Sequence, residues 1–297
     1  MQRVAGSTRR SRGRSMRRVR RVRDVRAAVM AWRRRGESVG FVPTMGAIHA
    51  GHLSLIARAR SADDRVVASV FVNPLQFGPG EDFKKYPRPA ARDRRLLAAA
   101  GADLVWEPGV RDIYPEGDRT RVRVEGLSAR LEGASRPGHF EGVTSVVLRL
   151  LNAVQPDTLW LGQKDAQQAR IVEQMVRDLL VPVRVRRAPT AREADGLARS
   201  SRNAYLDPAQ RAEAVALTRG LGAARAALAS GARSAARLKQ AVRAVWRGYP
   251  AVREDYVAVV DAETLEPVER VRGRVLVAVA ARVGRARLID NFEWSPA

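Results

Sequence analysis

The chain of 297 residues contains no cysteine. Disulfides, thiolate nucleophiles and cysteine-based zinc sites are therefore excluded. Aromatic residues are scarce at 5%, and only three histidines and four lysines occur. Acidic residues are outnumbered, 31 against 54 Lys and Arg, which leaves a formal charge of +23 carried almost entirely by arginine. No apolar run approaches the length of a membrane span. The hydrophobic share of 45% and charged share of 29% fit a globular chain long enough for a full core, as one large domain or two smaller ones.

The basic excess is densest at the start. Ten arginines fall in the first 24 residues, with Gly and Ser and no acid before Asp24. Three readings compete for this arm: a contact for nucleic acid or an anionic surface, a transit peptide, or a disordered extension in an Arg-biased proteome. Arg replaces Lys throughout the chain, which favours the third. No Phe, Trp or Tyr interleaves the arm, so base stacking finds no platform there.

Past the arm, short apolar runs alternate with amphipathic segments. The runs predict strands at 38–44, 65–73, 102–107, 157–163 and 182–188. Val143, Val146, Val147, Leu150, Leu151 and Val154 recur at helical spacing, as do Ile171, Val172, Met175, Val176 and Leu179. Such alternation argues for βαβ units, a parallel sheet and ligands at the carboxyl ends of its strands. The character changes near residue 190. A polar stretch, 192–203, leads to Asp207-Pro208, a helix cap and first helical position. Two amphipathic helices follow, marked by Leu217, Leu221, Ala224 and Leu228 and by Leu238, Val242, Val245 and Trp246. Short strands are expected at 256–260, 275–280 and near Leu288. The expected fold class is α/β: a Rossmann-like parallel sheet domain over 17–190 and a smaller α+β C-terminal domain over 191–297, preceded by the arm at 1–16.

Five segments carry chemistry. Two of the three histidines lie in Pro43-Thr44-Met45-Gly46-Ala47-Ile48-His49-Ala50-Gly51-His52, which reads as strand, turn and helix N-terminus. The unpaired N–H groups and positive dipole end of such a terminus attract phosphate, and His49 and His52 add donors. Gly51 is expected to let the backbone approach a ligand. At the end of the second expected strand, Asn73-Pro74-Leu75-Gln76 offers neutral amides suited to hydroxyl and carboxylate groups. Arg136 and His139, before a helix, are placed to face an anion. Gly162-Gln163-Lys164-Asp165 puts a compact ammonium at a strand end, with Gln168 one helical turn further on. Arg192 to Asn203 reads as a mobile loop whose hydroxyls and arginines close over a triphosphate. Asp93, shortly after Tyr86-Pro87-Arg88, is a candidate neighbour of a metal; the metal ligands themselves are unassigned.

Taken together, Pro43–Ile56, Asn73–Gly78, Tyr86–Arg88, Ser135–Gly142, Gly162–Gln168 and Arg192–Asn203 resemble the pantothenate synthetase (pantoate–β-alanine ligase) family in order and spacing. That family is one of the nucleotidyltransferases with a His-x-Gly-His signature, and the resemblance covers about residues 17 to 293. It implies a Rossmann-like ATP-binding domain, a C-terminal lid, a cytoplasmic homodimer, and Mg-ATP, pantoate and β-alanine as substrates. Pantoate carboxylate would attack the α-phosphorus of ATP to give pantoyl adenylate and pyrophosphate. The amine of β-alanine would then displace AMP. The resemblance places ATP on Met45, Gly46, Ala47, Ile48, His49, Ala50, Gly51 and His52, on Gly162, Gln163, Lys164 and Asp165, at the main chain of Ala191, and on Arg199, Ser200, Ser201 and Arg202. His52, His49, Lys164 and Arg202 would form the catalytic set, with His52 as general acid or donor at the α/β bridge. Gln76 and Gln168 would hold pantoate, with Asn73, His139 and Arg136 beside them.

Two positions depart from the family pattern: Arg199 stands where it has Met or another apolar residue, and Ala191 where it has Val. The rivals are a nucleotidyltransferase that stops at the nucleotidyl product, a class I aminoacyl-tRNA synthetase, and a non-enzymatic nucleic-acid binder. The Asn73 and Lys164 segments count against the first, and the chain is too short for the second. The third predicts steeply salt-dependent affinity carried by the arm; neither a nucleic acid nor a membrane is expected as a partner.

Overall fold

The computed structural model describes residues 15–81 and 83–296. Residues 1–14 of the arm expected at 1–16 lie outside the described ones. Six strands build one parallel sheet: β1 (Arg17–Val19), β2 (Val39–Thr44), β3 (Arg65–Val70), β4 (Leu104–Trp106), β5 (Thr158–Gly162) and β6 (Arg184–Ala188). Their order is β1-β4-β3-β2-β5-β6. The chain runs outward from β2 through β3 to β4 on one side and from β5 to β6 on the other. The sheet therefore reverses direction between β2 and β5, and a crevice opens at their carboxyl ends.

Consecutive strand residues serve opposite faces, as the pleat requires. Phe41, Val67, Leu104, Trp106, Leu159 and Leu161 enter one core, while Val42, Val66, Ala68, Val105 and Trp160 enter the other. The first face is covered by α1 (Val22–Arg33), α6 (His139–Val154) and α7 (Ala166–Asp178); α2 (Ala50–Ala62) and α3 (Ala90–Ala99) cover the second. Short helices α4 (Val110–Ile113) and α5 (Glu132–Ser135) lie in the connections. On α6, every apolar position picked out by helical spacing is buried: Val143, Val146, Val147, Leu150, Leu151 and Val154. Each such side chain contributes roughly 1.5–3 kcal/mol.

After β6 come α8 (Pro208–Glu213), α9 (Ala216–Ala229), α10 (Ala235–Trp246) and an antiparallel sheet of β7 (Val252–Asp261), β8 (Val275–Val283) and β9 (Ala286–Trp294). Asp207 caps α8 by accepting from the Gln210 N–H, with Pro208 in the first turn, as expected. A third core fills the space between α9, α10 and this sheet. Strand β8 is buried on both sides: Val275, Val277 and Val279 join that core, whereas Leu276 and Ala278 pack into the core of the parallel sheet. The C-terminal part is thus docked through an apolar surface.

The structure adjusts two sequence expectations. Strand β1 is absent from the expected set, because two of its three residues are exposed arginines and only Val19 is buried. The arm also ends earlier than residue 16, since Met16 packs against the core beneath α2 and α3.

Candidate active site

The turn after β2 is held from a distance. Ala47 adopts a left-handed backbone, with φ 50°, which costs a residue with a Cβ about 1–2 kcal/mol. The buried Asp93 carboxylate offsets that cost: its two oxygens accept the N–H groups of Ala47 and Ile48, each at 2.8 Å. Asp93 is therefore a brace for the turn. Its candidacy beside a metal is not supported, because both oxygens already face amides. Ile48 is fully buried and pins the turn to the core.

His49 is the N-cap of α2. Its Nδ1 accepts from Gly51 N–H at 3.1 Å, and His52 Nδ1 accepts from His49 N–H at 3.4 Å. The two rings lie 4.0 Å apart, tilted by 30°. The histidines thus form a reciprocal capping box, a use of imidazole in place of the usual Ser and Glu. Gly51 is also required by the cap itself. A Cβ there would sit 2.8 Å from His49 Cε1, so the glycine makes room for the ring.

This cap decides the tautomer of both rings. With each Nδ1 accepting, the proton resides on Nε2, an assignment made from the hydrogen-bond network. Burial, and then the Lys164 ammonium, holds His49 down to about 4. Burial, then the neighbouring His49, holds His52 down to about 3. At neutral pH each imidazole is an uncharged donor. In this form His52 can donate to a phosphate oxygen through Nε2–H.

The segment after β3 is built around Asn73, which is 1% exposed. Its Nδ2 donates to Gln76 Oε1 (3.1 Å) and Gly142 O (3.0 Å). Its Oδ1 accepts from Leu75 N (3.3 Å) and Tyr114 OH (2.7 Å). All four hydrogen-bonding positions are filled, so Asn73 holds Gln76 in place and has none left for a substrate. Gly142 is required by the same packing: a Cβ there would lie 2.4 Å from Leu75 O.

Arg136 and His139 are likewise turned inward. Arg136 pairs with Glu81 through two nitrogens, one of them Nε at 2.7 Å. His139 Nδ1–H donates to Gln76 O at 2.8 Å, and its Nε2 accepts from Arg136 at 3.1 Å. Their expected role facing an anion becomes that of a frame around Gln76. Burial first, then the Arg136 charge, holds His139 down to about 4.

At the end of β5, a 3-10 turn (Gln163–Asp165) presents Lys164, whose ammonium lies 3.4 Å from Asp165 Oδ1. Gln168 stands on α7 facing the same space, with no hydrogen-bond partner among the described residues. The 192–203 segment is ordered by its own contacts. Arg192 and Ala198 form a bridge, Arg199 N–H donates to Ala191 O at 2.9 Å, and Ser200 caps the following turn by accepting from Arg202 N–H. Arg199 turns back to Arg192 O and lies 3.5 Å from Glu193. Arg192 makes a two-nitrogen ion pair with the buried Asp290 of β9, at 2.6 and 3.0 Å. The expected mobile loop is thus anchored at its base.

These elements converge. Met45, His49, Gly51, His52, Gln76, Lys164, Gln168, Ala191 and Arg199 to Arg202 line one cleft of about 250 Å³. It opens into a second of about 890 Å³ beneath β8 and β9, and Arg136, His139, Lys164, Asp165, Gln168, Ser200 and Arg202 border both. Five candidates stand outside the walls: Gly46, Ala47, Ile48 and Ala50 shape the turn and cap, and Gln163 donates to Glu293 and Asn291. Sequence reading missed Asp290, Asn291 and the Glu132–Arg287 ion pair, which tie β9 to the cleft. They are ordinary polar residues until the fold brings them together.

A crevice at a sheet reversal, a histidine-capped helix terminus and a lysine in the turn after the neighbouring strand define the His-x-Gly-His class of nucleotide-using α/β enzymes. A family model described as pantoate-beta-alanine ligase matches residues 17–293, and the chain belongs to this family. It is 54% identical over 267 residues to the pantothenate synthetase of Moorella thermoacetica, covering 90% of this chain and 94% of that protein. The crystal structure of pantothenate synthetase from Thermus thermophilus matches with a TM-score of 0.90 and 52% identity, over 95% of this chain and 100% of that one. That of pantoate-beta-alanine ligase from Francisella tularensis, complexed with beta-gamma ATP and beta-alanine, matches with a TM-score of 0.75 and 31% identity, over 94% and 97%.

Proposed function

We propose that this cleft condenses (R)-pantoate with β-alanine at the expense of ATP, through pantoyl adenylate. A pantoate carboxylate oxygen attacks the α-phosphorus, and the bond to the β-phosphate bridge breaks to release pyrophosphate. The amine of β-alanine then attacks the acyl carbon, loses a proton and expels AMP. The observation that carries this reading is the convergence of uncharged imidazole donors, an ammonium and two amide side chains at the β2–β5 crevice.

Adenylyl transfer needs positioning and charge stabilisation more than a protein nucleophile. In this reading the Nε2–H groups of His49 and His52 and the Lys164 ammonium meet the phosphates. Arg202, Ser200 and Ser201 close over them, and adenine rests against the Ala191 main chain. Gln76 and Gln168 take pantoate. In this reading Mg²⁺ enters as part of the nucleotide substrate, carried on its phosphates. The adenylate hydrolyses readily, and the overhanging β8–β9 sheet and 199–202 segment serve to exclude water. A homodimer, a cytoplasmic location and a domain boundary at residue 191 complete the reading. Among the described residues, no helix is long and apolar enough to cross a membrane.

The test is substrate dependence. With Mg-ATP, pantoate and β-alanine together, the purified protein releases AMP and pyrophosphate in equal amounts. AMP release that continues without pantoate, or sustained AMP turnover without β-alanine, refutes the ligase reading.

A further inference from the structure

Strand β9 reaches the cleft without lining its phosphate end, and two neighbouring residues on it make the connection. Asn291 is 6% exposed. Its Nδ2 donates to two successive carbonyls, Gln163 O at 3.1 Å and Lys164 O at 2.8 Å. Its Oδ1 accepts from Gln163 Nε2 at 3.4 Å. The preceding Asp290 accepts the Asn291 N–H at 2.8 Å while holding Arg192 at the base of the 192–203 segment.

We propose that Asn291 is a positioning residue for Lys164, and that it acts in the adenylation step. The inference rests on the ligase reading above. A lysine side chain has four rotatable bonds and a point charge, so any looseness in the backbone that carries it adds to the spread of its ammonium. Among the described residues the Lys164 ammonium has one weak hydrogen-bond partner, Asp165 at 3.4 Å. The main chain beneath it is gripped on both sides of the Lys164 Cα by one rigid amide. Fixing the carbonyls at 163 and 164 fixes the peptide orientations on either side of that Cα, and with them the Cα–Cβ direction. Neither Gln76 nor Gln168 hydrogen-bonds to Asn291, so pantoate binding is not routed through it.

The experiment is single-turnover release of pyrophosphate from Mg-ATP and pantoate, in a cycle of Asn291→Ala and Lys164→Ala, with folding checked by thermal unfolding. Asn291→Ala is expected to lower the adenylation rate about 10- to 100-fold, the scale of a misplacement of about 1 Å, with the KM for pantoate unchanged. In the Lys164→Ala background the same change costs no more than about twofold, because the group it positions is gone. Equal losses in both backgrounds overturn the proposal, as does normal turnover in Asn291→Ala.

A second variant covers the case in which Asn291→Ala does not fold. In Asn291→Asp the new carboxyl faces two carbonyl oxygens. Protonated, it donates one hydrogen bond; ionised, it donates none. Its adenylation rate relative to the unsubstituted protein therefore falls as pH rises, and a pH-independent ratio overturns the proposal. If the unsubstituted protein forms no pyrophosphate with pantoate, the ligase reading fails and this inference with it. If it does and the cycle is additive, only the inference fails.

Discussion

The His139 imidazole couples acidity to the frame of the site, and the size of the coupling follows from its surroundings. It is 9% exposed, donates through Nδ1 to Gln76 O and accepts through Nε2 from Arg136. Protonation would turn Nε2 into a donor facing a guanidinium. Accordingly its pKa drops from 6.5 to about 4 on folding. A base depressed in the folded state takes up its proton first in the unfolded chain. Its contribution to stability is complete above about pH 6.5 and is lost as pH falls toward 4. Between about pH 7 and pH 5 the unfolded imidazole becomes almost fully charged while the folded one stays neutral, which costs about 2 kcal/mol. Urea unfolding at the two pH values measures this. His139→Gln removes the titration, so its stability should change by about 2 kcal/mol less than that of the unsubstituted protein over the same interval. His49 and His52, also depressed, act in the same direction in both proteins and cancel. An equal pH dependence in the two, within about 0.5 kcal/mol, would refute the assignment of His139 as a neutral, doubly engaged imidazole.

Other substitutions test the remaining parts. His52→Ala and Lys164→Ala should each lower the adenylation rate by about 10²–10³ with the fold intact, the range for removing a preorganised donor; near-normal pyrophosphate release would remove them from the mechanism. Gly142→Ala drives a Cβ against the Leu75 carbonyl, a backbone atom that cannot swing aside. It should raise the KM for pantoate at least about tenfold by displacing Gln76, a loss of about 1.4 kcal/mol or more, and an unchanged KM would show that the loop yields freely. Asp93→Asn removes one acceptor from the β2–α2 turn and should cost about 1.5–3 kcal/mol in chemical unfolding while weakening ATP binding. Loss of neither would deny Asp93 its bracing role. Deleting residues 1–14, which precede the family match, should leave turnover unchanged; a large loss would make the arm part of the enzyme.

How much is legible in the sequence depends on how local each signal is. Strands β2 to β5 announce themselves because apolar runs are buried on both faces of a parallel sheet, whereas β6 is an edge strand with exposed arginines. The three residues of β1 carry no such run, and only pairing with β4 makes them a strand. The histidine pair and Lys164 are visible because each motif lies within a few residues of a strand end. What those residues do to one another is not. Asp93 reaches Ile48 across 45 positions, Arg192 reaches Asp290 across 98, and Asn291 reaches Lys164 across 127. Asn73, Arg136 and His139 read as ligand-facing because a polar residue near a strand end looks the same whether it points outward or inward. Their direction is settled by partners at Gly142, Glu81 and Gln76.

Strand β9 grips three separate segments: Glu132 through Arg287, the Lys164 turn through Asn291, and the 192–203 segment through Asp290. During synthesis it emerges after every segment it fastens. A nascent chain that has not reached β9 already holds the histidine cap but lacks the Asn291 grip on the Lys164 turn. Fragments that end before residue 286 therefore leave the cleft without its clasp.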